Sequence, residues 1–183
     1  GAQIDTRFAS EALAPGVRQL LDRGMAQQTS SAGRWFDAAC GLLGLHWHSS
    51  YEGQGPMALE TLVDRPEVVD GGWRIDAGML DLLPLMSALA EPEMDPRTGA
   101  NLFHGTLIAA LTDWAAAVAV QQGLSTVVLS GGCLLNRVLA EGLSASLRAR
   151  KLTPLLPRRL PPNDGAISLG QVAIARRARA RGW

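Results

Sequence analysis

The sequence is poor in several things at once. Lys151 is its only lysine, Tyr51 its only tyrosine, and it has two cysteines in 183 residues. Two cysteines do not make a disulfide scaffold, and nothing in the composition suggests a secreted protein. Basic and acidic side chains number 17 each. The absence of a basic excess argues against a nucleic-acid-binding domain. No uninterrupted run of 18 apolar residues occurs, so no membrane-spanning helix is expected. The start, Gly1-Ala2-Gln3-Ile4-Asp5, is neither a signal peptide nor an initiator, which leads us to expect a cytoplasmic protein and a chain cut from something longer. Charged residues are scarce at 19%, while hydrophobic residues reach 47%, a balance that excludes a disordered chain. The length suffices to bury a core, and no Pro/Gly-rich linker divides it, so one compact unit is expected. All basic residues but Lys151 are arginines; no single charged patch explains this, and it reads as coding bias.

Periodicity predicts helices over 16–25, 33–44, 55–63, 79–90, 101–122, 134–149 and from about 166 to 180. In the second, Phe36, Ala39, Cys40 and Leu43 share a face, Thr29-Ser30-Ser31 offers caps and Gly44 a stop. Pro56 is acceptable in a first turn, whereas Pro84 interrupts its helix. The long helix places Leu107, Leu111, Trp114 and Val118 together. Trp73–Asp76 reads as a short strand. Thr126-Val127-Val128-Leu129 reads as a buried strand entering a glycine turn, and 152–156 as a second short strand. The order is helical to about 122, then strand–helix–strand–helix, a small α/β part with parallel pairing.

Several segments carry candidate chemistry. Ser130-Gly131-Gly132-Cys133-Leu134-Leu135-Asn136 places bare N–H groups at a helix start. That suits a phosphate or nucleotide, or serves only as a tight turn. Asn136 is placed to hydrogen-bond a base or ribose. Asp164, in Pro162-Asn163-Asp164-Gly165, is either an N-cap or a carboxylate available to a divalent cation. Asp37 lies off the apolar face of its helix, in reach of a ribose hydroxyl or simply solvated. Cys133 at a helix start could be an activated thiol, paired with His104. The same residues also read as structural: His104 as a packing histidine, His46 and His48 as a pair without a third ligand, Cys40 as core, and Arg176–Arg181 as a solvated helix end.

Taken in order, Ser30–Gly44 (Ser-Ser-Ala-Gly-Arg-Trp-Phe-Asp-Ala-Ala-Cys-Gly-Leu-Leu-Gly), Tyr51-Glu52-Gly53-Gln54, Phe103-His104, Leu129–Arg137 and Pro162–Gln171 resemble the carboxyl-terminal part of the hydrogenase maturation carbamoyltransferases, the HypF family. The resemblance covers roughly residues 16–178. Two of the segments also look like the threonylcarbamoyl-transferring tRNA modification enzymes; Tyr-Glu-Gly-Gln favours the hydrogenase branch. The resemblance implies a helix-rich α/β chain, the second lobe of an actin-like, sugar-kinase-like (ribonuclease H-like) two-lobed fold. It implies a transfer domain that takes ATP-derived carbamoyl adenylate and passes the carbamoyl group to the carboxyl-terminal cysteine of the partner maturation protein HypE, for cyanide synthesis at a nickel–iron centre. By the same resemblance Gly33 and Asp37 contact the ribose, Gly131, Gly132 and Asn136 cradle the nucleotide, and Asp164 binds a divalent metal, iron or zinc. No nucleic acid or membrane partner is implied.

Two departures stand out. The family commonly has Asp-Gly-Gly where this sequence has Asp164-Gly165-Ala166, which is harmless if Ala166 has negative φ. The family's His-x-x-x-His metal ligands lie in the upstream lobe, outside this chain, so the chain alone is expected neither to hold the metal tightly nor to turn over. Two other readings stand beside the transferase lobe: a non-catalytic lobe that docks a partner, and a cysteine-dependent transferase using Cys133.

Overall fold

The structure, a computed structural model, describes residues 7–180. The chain forms two compact units, Gly1–Ser31 and Ala32–Trp183, where one was expected. In the first, helix α1 (Ala14–Asp22) starts two residues before the predicted helix because Pro15 fits a first turn. Arg18 and Asp22 pair across one turn at 3.7 Å. None of its residues is buried.

The second unit is helix-rich α/β. Helices α2 (Ala32–Leu42) and α3 (Gln54–Thr61) pack together, followed by a hairpin of β1 (Arg74–Asp76) and β2 (Met79–Asp81) and by α4 (Leu83–Leu89). Helix α5 (Pro96–Gln122) then runs through the core. β3 (Thr126–Val128), a 3-10 turn (Gly132–Leu135), α6 (Arg137–Ala149), β4 (Thr153–Leu155), a second 3-10 turn (Asp164–Ala166) and α7 (Ile167–Ala180) complete it. Strands β3 and β4 pair in parallel, Val127 opposite Pro154. Arg181 lies outside the described residues.

Several expectations are corrected. Residues 79–81 are strand, because Ala77 (φ 47°) and Gly78 (φ 80°) form the two-residue turn of a twisted hairpin. The helix then starts at Leu83 with Pro84 inside its first turn, so the proline opens the helix and does not interrupt it. α5 begins five residues before the predicted start: Asp95 accepts from the Thr98 N–H at 2.9 Å and Pro96 follows it. The helix predicted over 134–149 starts at Arg137, after the 3-10 turn, with Asn136 as its cap. Strand β3 is also less buried than expected, with Val128 71% exposed, since β4 is its one paired neighbour.

The core gathers Phe36, Ala39, Cys40 and Leu43 of α2, Leu59 of α3, Leu85 and Leu89 of α4, and Ala100, Phe103, Leu107 and Ile108 of α5. Each fully buried large side chain contributes about 1.5–3 kcal/mol. The predicted stripe on α5 is only partly right. Leu107 is buried, but Trp114 stays half-exposed and donates its indole N–H to the Gly78 carbonyl at 2.8 Å, tying the hairpin to the helix. By length and composition α5 is apolar enough to cross a membrane, unlike the reading from apolar runs alone. Half of that stretch is buried in this fold, and Asn101, His104, Thr106 and Thr112 are buried along the helix.

Two of those polar side chains strap the 64–72 loop onto α5. Asn101 Oδ1 accepts from the N–H groups of Asp64 (3.1 Å) and Arg65 (2.9 Å), and Thr106 Oγ1 from that of Val69 (2.9 Å). Gly105 lies between them, where a Cβ would stand 2.1 Å from the Glu67 carbonyl oxygen. Backbone cannot swing aside as a side chain can. Gly105→Ala should therefore cost about 1–3 kcal/mol or more in denaturant unfolding, by forcing the strap off the helix. Gly41→Ala, in helical backbone with open space around it, should cost nothing.

Candidate functional site

The site is built where β3 ends. Gly131 takes φ 118° and ψ 159°, a conformation that side chains rarely adopt. Its N–H donates to the Pro162 carbonyl at 2.7 Å, and Ser130 Oγ donates to the same oxygen at 3.3 Å. The glycine turn is thus tied to the Pro162–Gly165 loop. A Cβ on Gly131 or Gly132 would meet nothing within 4 Å. Backbone strain explains the glycine at 131; no packing among the described residues explains the one at 132. Its bare face leaves room for a flat ligand to approach the backbone.

In the adjoining loop Asn163, not Asp164, is the cap: its side chain accepts from the Gly165 N–H at 3.2 Å. That frees the carboxylate of Asp164, which is exposed and takes no hydrogen-bonding or ionic partner among the described residues, while its backbone carbonyl accepts from the Ile167 N–H. Ala166 has no positive φ, so the alanine fits the backbone there. Among the described residues no group of three or more His, Cys, Asp or Glu side chains is placed to hold a metal. This chain supplies one candidate ligand, and one carboxylate does not make a metal site.

Helix α2 borders the glycine turn, and the Asp37 charge reaches Cys133. α2 packs on the 3-10 turn Gly132–Leu135 and on α3. Asp37 pairs with Arg34 at 2.7 Å, and its Oδ1 would lie 3.5 Å from a Cβ on Gly55. Gly33, one turn before Asp37, opens the same helix. The Tyr51–Gly55 segment thus meets α2 at Cys40 and Asp37 through a glycine that lets the helices close up. Gln54 accepts the Ser50 N–H at 2.7 Å, which fastens the entry to α3.

Asn136 is not free. It is 6% exposed; Oδ1 accepts from the Leu139 N–H at 2.8 Å, and Nδ2 meets His104 Nε2 at 3.0 Å. Glu60 of α3, which the sequence reading passed over, accepts the Arg137 N–H at 2.7 Å. Two first-turn donors of α6 are therefore already taken. The bare helix end expected from sequence is filled by this chain's own side chains, and the open backbone sits four residues earlier, at the glycine turn. No local pattern marks Glu60, because its partner lies 77 positions away.

His104 is completely buried. Its Nδ1 is 2.9 Å from the Ala100 carbonyl, and its ring meets Phe36 and Phe103 edge-on at centroid distances of 5.6 and 5.4 Å. Burial pushes the imidazole below its ordinary value, against the pull of the Ala100 bond and the Glu60 charge. With both ring nitrogens occupied, His104 does not pair with Cys133. Burial, reinforced by the Asp37 charge, pushes the Cys133 thiol up, the opposite of an activated nucleophile. Cys40 is a core residue whose thiol is likewise raised by burial.

Residues 2–171 match a protein family described as carbamoyltransferase, Kae1-like domain, second subdomain. The carbamoyltransferase HypF of Rhizobium leguminosarum bv. viciae is 51% identical over 81% of this chain and 20% of its own length. The carbamoyltransferase HypF2 of Cupriavidus necator is 46% identical over 96% of this chain and 25% of its own length. The chain thus spans a quarter or less of those relatives. A crystal structure of full-length HypF in the phosphate- and nucleotide-bound form superposes with a TM-score of 0.79 at 26% identity, over 95% of this chain and 24% of that one. HypF of T. kodakarensis shares the fold, with a TM-score of 0.76 over 91% of this chain and 23% of that one. The chain belongs to the HypF carbamoyltransferase family and corresponds to the second subdomain of its Kae1-like domain.

Proposed function

We propose that this chain is the carboxyl-terminal lobe of a two-lobed, actin-like transfer domain, and that it holds the adenylate of carbamoyl adenylate while the carbamoyl group passes to the terminal cysteine of HypE in the cytoplasm. One observation carries the reading. Two segments far apart in sequence meet the Ser130–Cys133 turn and its uncovered glycine backbone: the Pro162–Gly165 loop is hydrogen-bonded to it, and α2 packs on the 3-10 turn with the Asp37 charge reaching Cys133. That a solved HypF binds phosphate and nucleotide agrees with it.

In this reading Gly131 and Gly132 receive the nucleotide, whose ring or phosphate needs an unshielded backbone. Gly33 and Asp37, at the start of α2, face the ribose. Asn136 serves by holding the turn. Asp164 supplies one carboxylate to an iron or zinc ion whose other ligands come from the upstream lobe. Such an ion would polarise the transferring group. This chain's own residues bind and orient the adenylate.

The lobe assignment has support outside the site. A two-stranded parallel sheet with an exposed apolar face is unusual, because parallel sheets are covered on both faces. α7 is apolar on opposite sides, Ile167 and Ile174 on one and Leu169 and Val172 on the other, yet none of its residues is buried. Both surfaces suit burial against the upstream lobe of the same enzyme. The division at about residue 122, helical before apart from the β1–β2 hairpin and α/β after, falls within this one lobe.

Three outcomes are expected in the full-length enzyme. Gly132→Val, whose side chain would project into the open face, should weaken binding of a carbamoyl-adenylate analogue about tenfold or more in titration calorimetry, with little change in melting temperature. Unchanged affinity would remove the nucleotide from this turn. Asp164→Ala should lower the metal content measured after dialysis while leaving the fold intact; full metal retention would contradict the ligand role. Cys133→Ser should keep carbamoyl transfer within a few-fold of the unaltered enzyme, and a collapse of activity would restore the thiol as nucleophile.

A further inference from the structure

We propose that His104 is a positioning residue for the nucleotide turn: its neutral imidazole sets the Asn136 carboxamide in the orientation that caps α6 and holds the Ser130–Leu135 backbone open. This rests on the reading of that turn as the adenylate site.

The directions of the hydrogen bonds follow from the partners. Ala100 offers His104 Nδ1 a carbonyl, which only accepts, so Nδ1 carries the proton. Nε2 is then a bare lone pair and accepts a hydrogen bond from Asn136 Nδ2. That turns Oδ1 toward the Leu139 N–H. A flipped carboxamide would set Oδ1 against the Nε2 lone pair and Nδ2 against an N–H donor, losing both bonds at once. The Asn136 N–H also donates to the Cys133 carbonyl at 3.2 Å, so the residue that His104 orients closes the 3-10 turn as well.

The ring has little freedom. Phe36 of α2 and Phe103 of α5 hold it edge-on, and Phe36 is the sequence neighbour of Asp37. One side chain therefore contacts both elements that flank the proposed ligand. Around it, α2 presents Phe36 and α6 presents Asn136; the charged group whose field reaches the ring is Glu60 of α3.

Protonation would break the arrangement. An Nε2–H facing Nδ2 sets donor against donor, and the carboxamide must turn away from its cap. Because burial disfavours the charged form, this belongs to pH values below the ordinary imidazole range. The sign follows: a base whose folded pKa is depressed gives up stabilisation as pH falls below about 6.5. Adenylate binding should then show an acid limb on that side of neutrality.

The test measures the affinity of the full-length enzyme for a carbamoyl-adenylate analogue from pH 5 to 8, in three forms. The unaltered enzyme should bind at neutrality and weaken on the acid side. His104→Gln places a carboxamide oxygen where Nε2 stands and cannot titrate, so it should bind within a few-fold at neutrality and lack the acid limb. His104→Leu leaves Asn136 Nδ2 buried without an acceptor and should bind about tenfold to a hundredfold more weakly. An acid limb that persists in His104→Gln overturns the proposal, whether or not His104→Leu folds. A folded His104→Leu that binds like the unaltered enzyme overturns it too. If the unaltered enzyme does not bind the analogue, or binds it regardless of Gly132→Val, the adenylate reading falls and takes this one with it. Separate loss of the His104 effects leaves that reading standing.

Discussion

One buried polar contact organises the second unit. His104 sits without solvent among Phe36, Phe103, the Ala100 carbonyl and Asn136, and so joins α2, α5 and the start of α6. A polar group in such a place is costly unless satisfied, and here both nitrogens are. Without the Nε2 acceptor, the Asn136 carboxamide has nothing to fix its direction, α6 loses its cap, and the glycine turn loses the element it leans on. Phe36, edge-on to the ring, anchors α2, the helix that carries Asp37.

The same logic explains why the open backbone lies where it does. A helix start has unsatisfied N–H groups, and in many proteins an anion takes them. Here Asn136 and Glu60 take the Leu139 and Arg137 donors. The helix end thus becomes a support, and the uncovered backbone lies at Gly131 and Gly132, where no described residue fills the position of a side chain. Asn163 repeats the arrangement on a smaller scale. By capping its own 3-10 turn it leaves Asp164 outward and unpaired.

Much of the fold was legible in the residues. The amphipathic spacing of Phe36, Ala39, Cys40 and Leu43 located α2, and all four are buried. The β-branched run before Ser130 located β3, and the four-residue spacing of Leu135, Leu139, Leu143 and Leu147 located α6, although Leu135 lies in the 3-10 turn before it. The failures have physical causes. The hairpin at 74–81 was hidden because Ala77, an ordinary residue, adopts a positive φ there. The start of α6 was misplaced because Leu134 and Leu135 continue a helical pattern that the 3-10 turn breaks. The boundary after Ser31 has no linker composition to announce it.

The sequence by itself determined the family, because five short motifs in a set order carry more information than any one of them. It also marked the small and polar residues that such chemistry needs. Only the tertiary structure decided which of them are exposed. Gly132 and Asp164 are uncovered, Asn136 is turned inward, the Cys133 thiol is raised by burial, and Glu60 of α3 caps the start of α6. The reason is one of range. Helix periodicity, caps and turn residues act over a few positions and are written locally. A carboxylate that meets an N–H 77 residues away, or an imidazole that chooses the direction of an amide, depends on how helices pack.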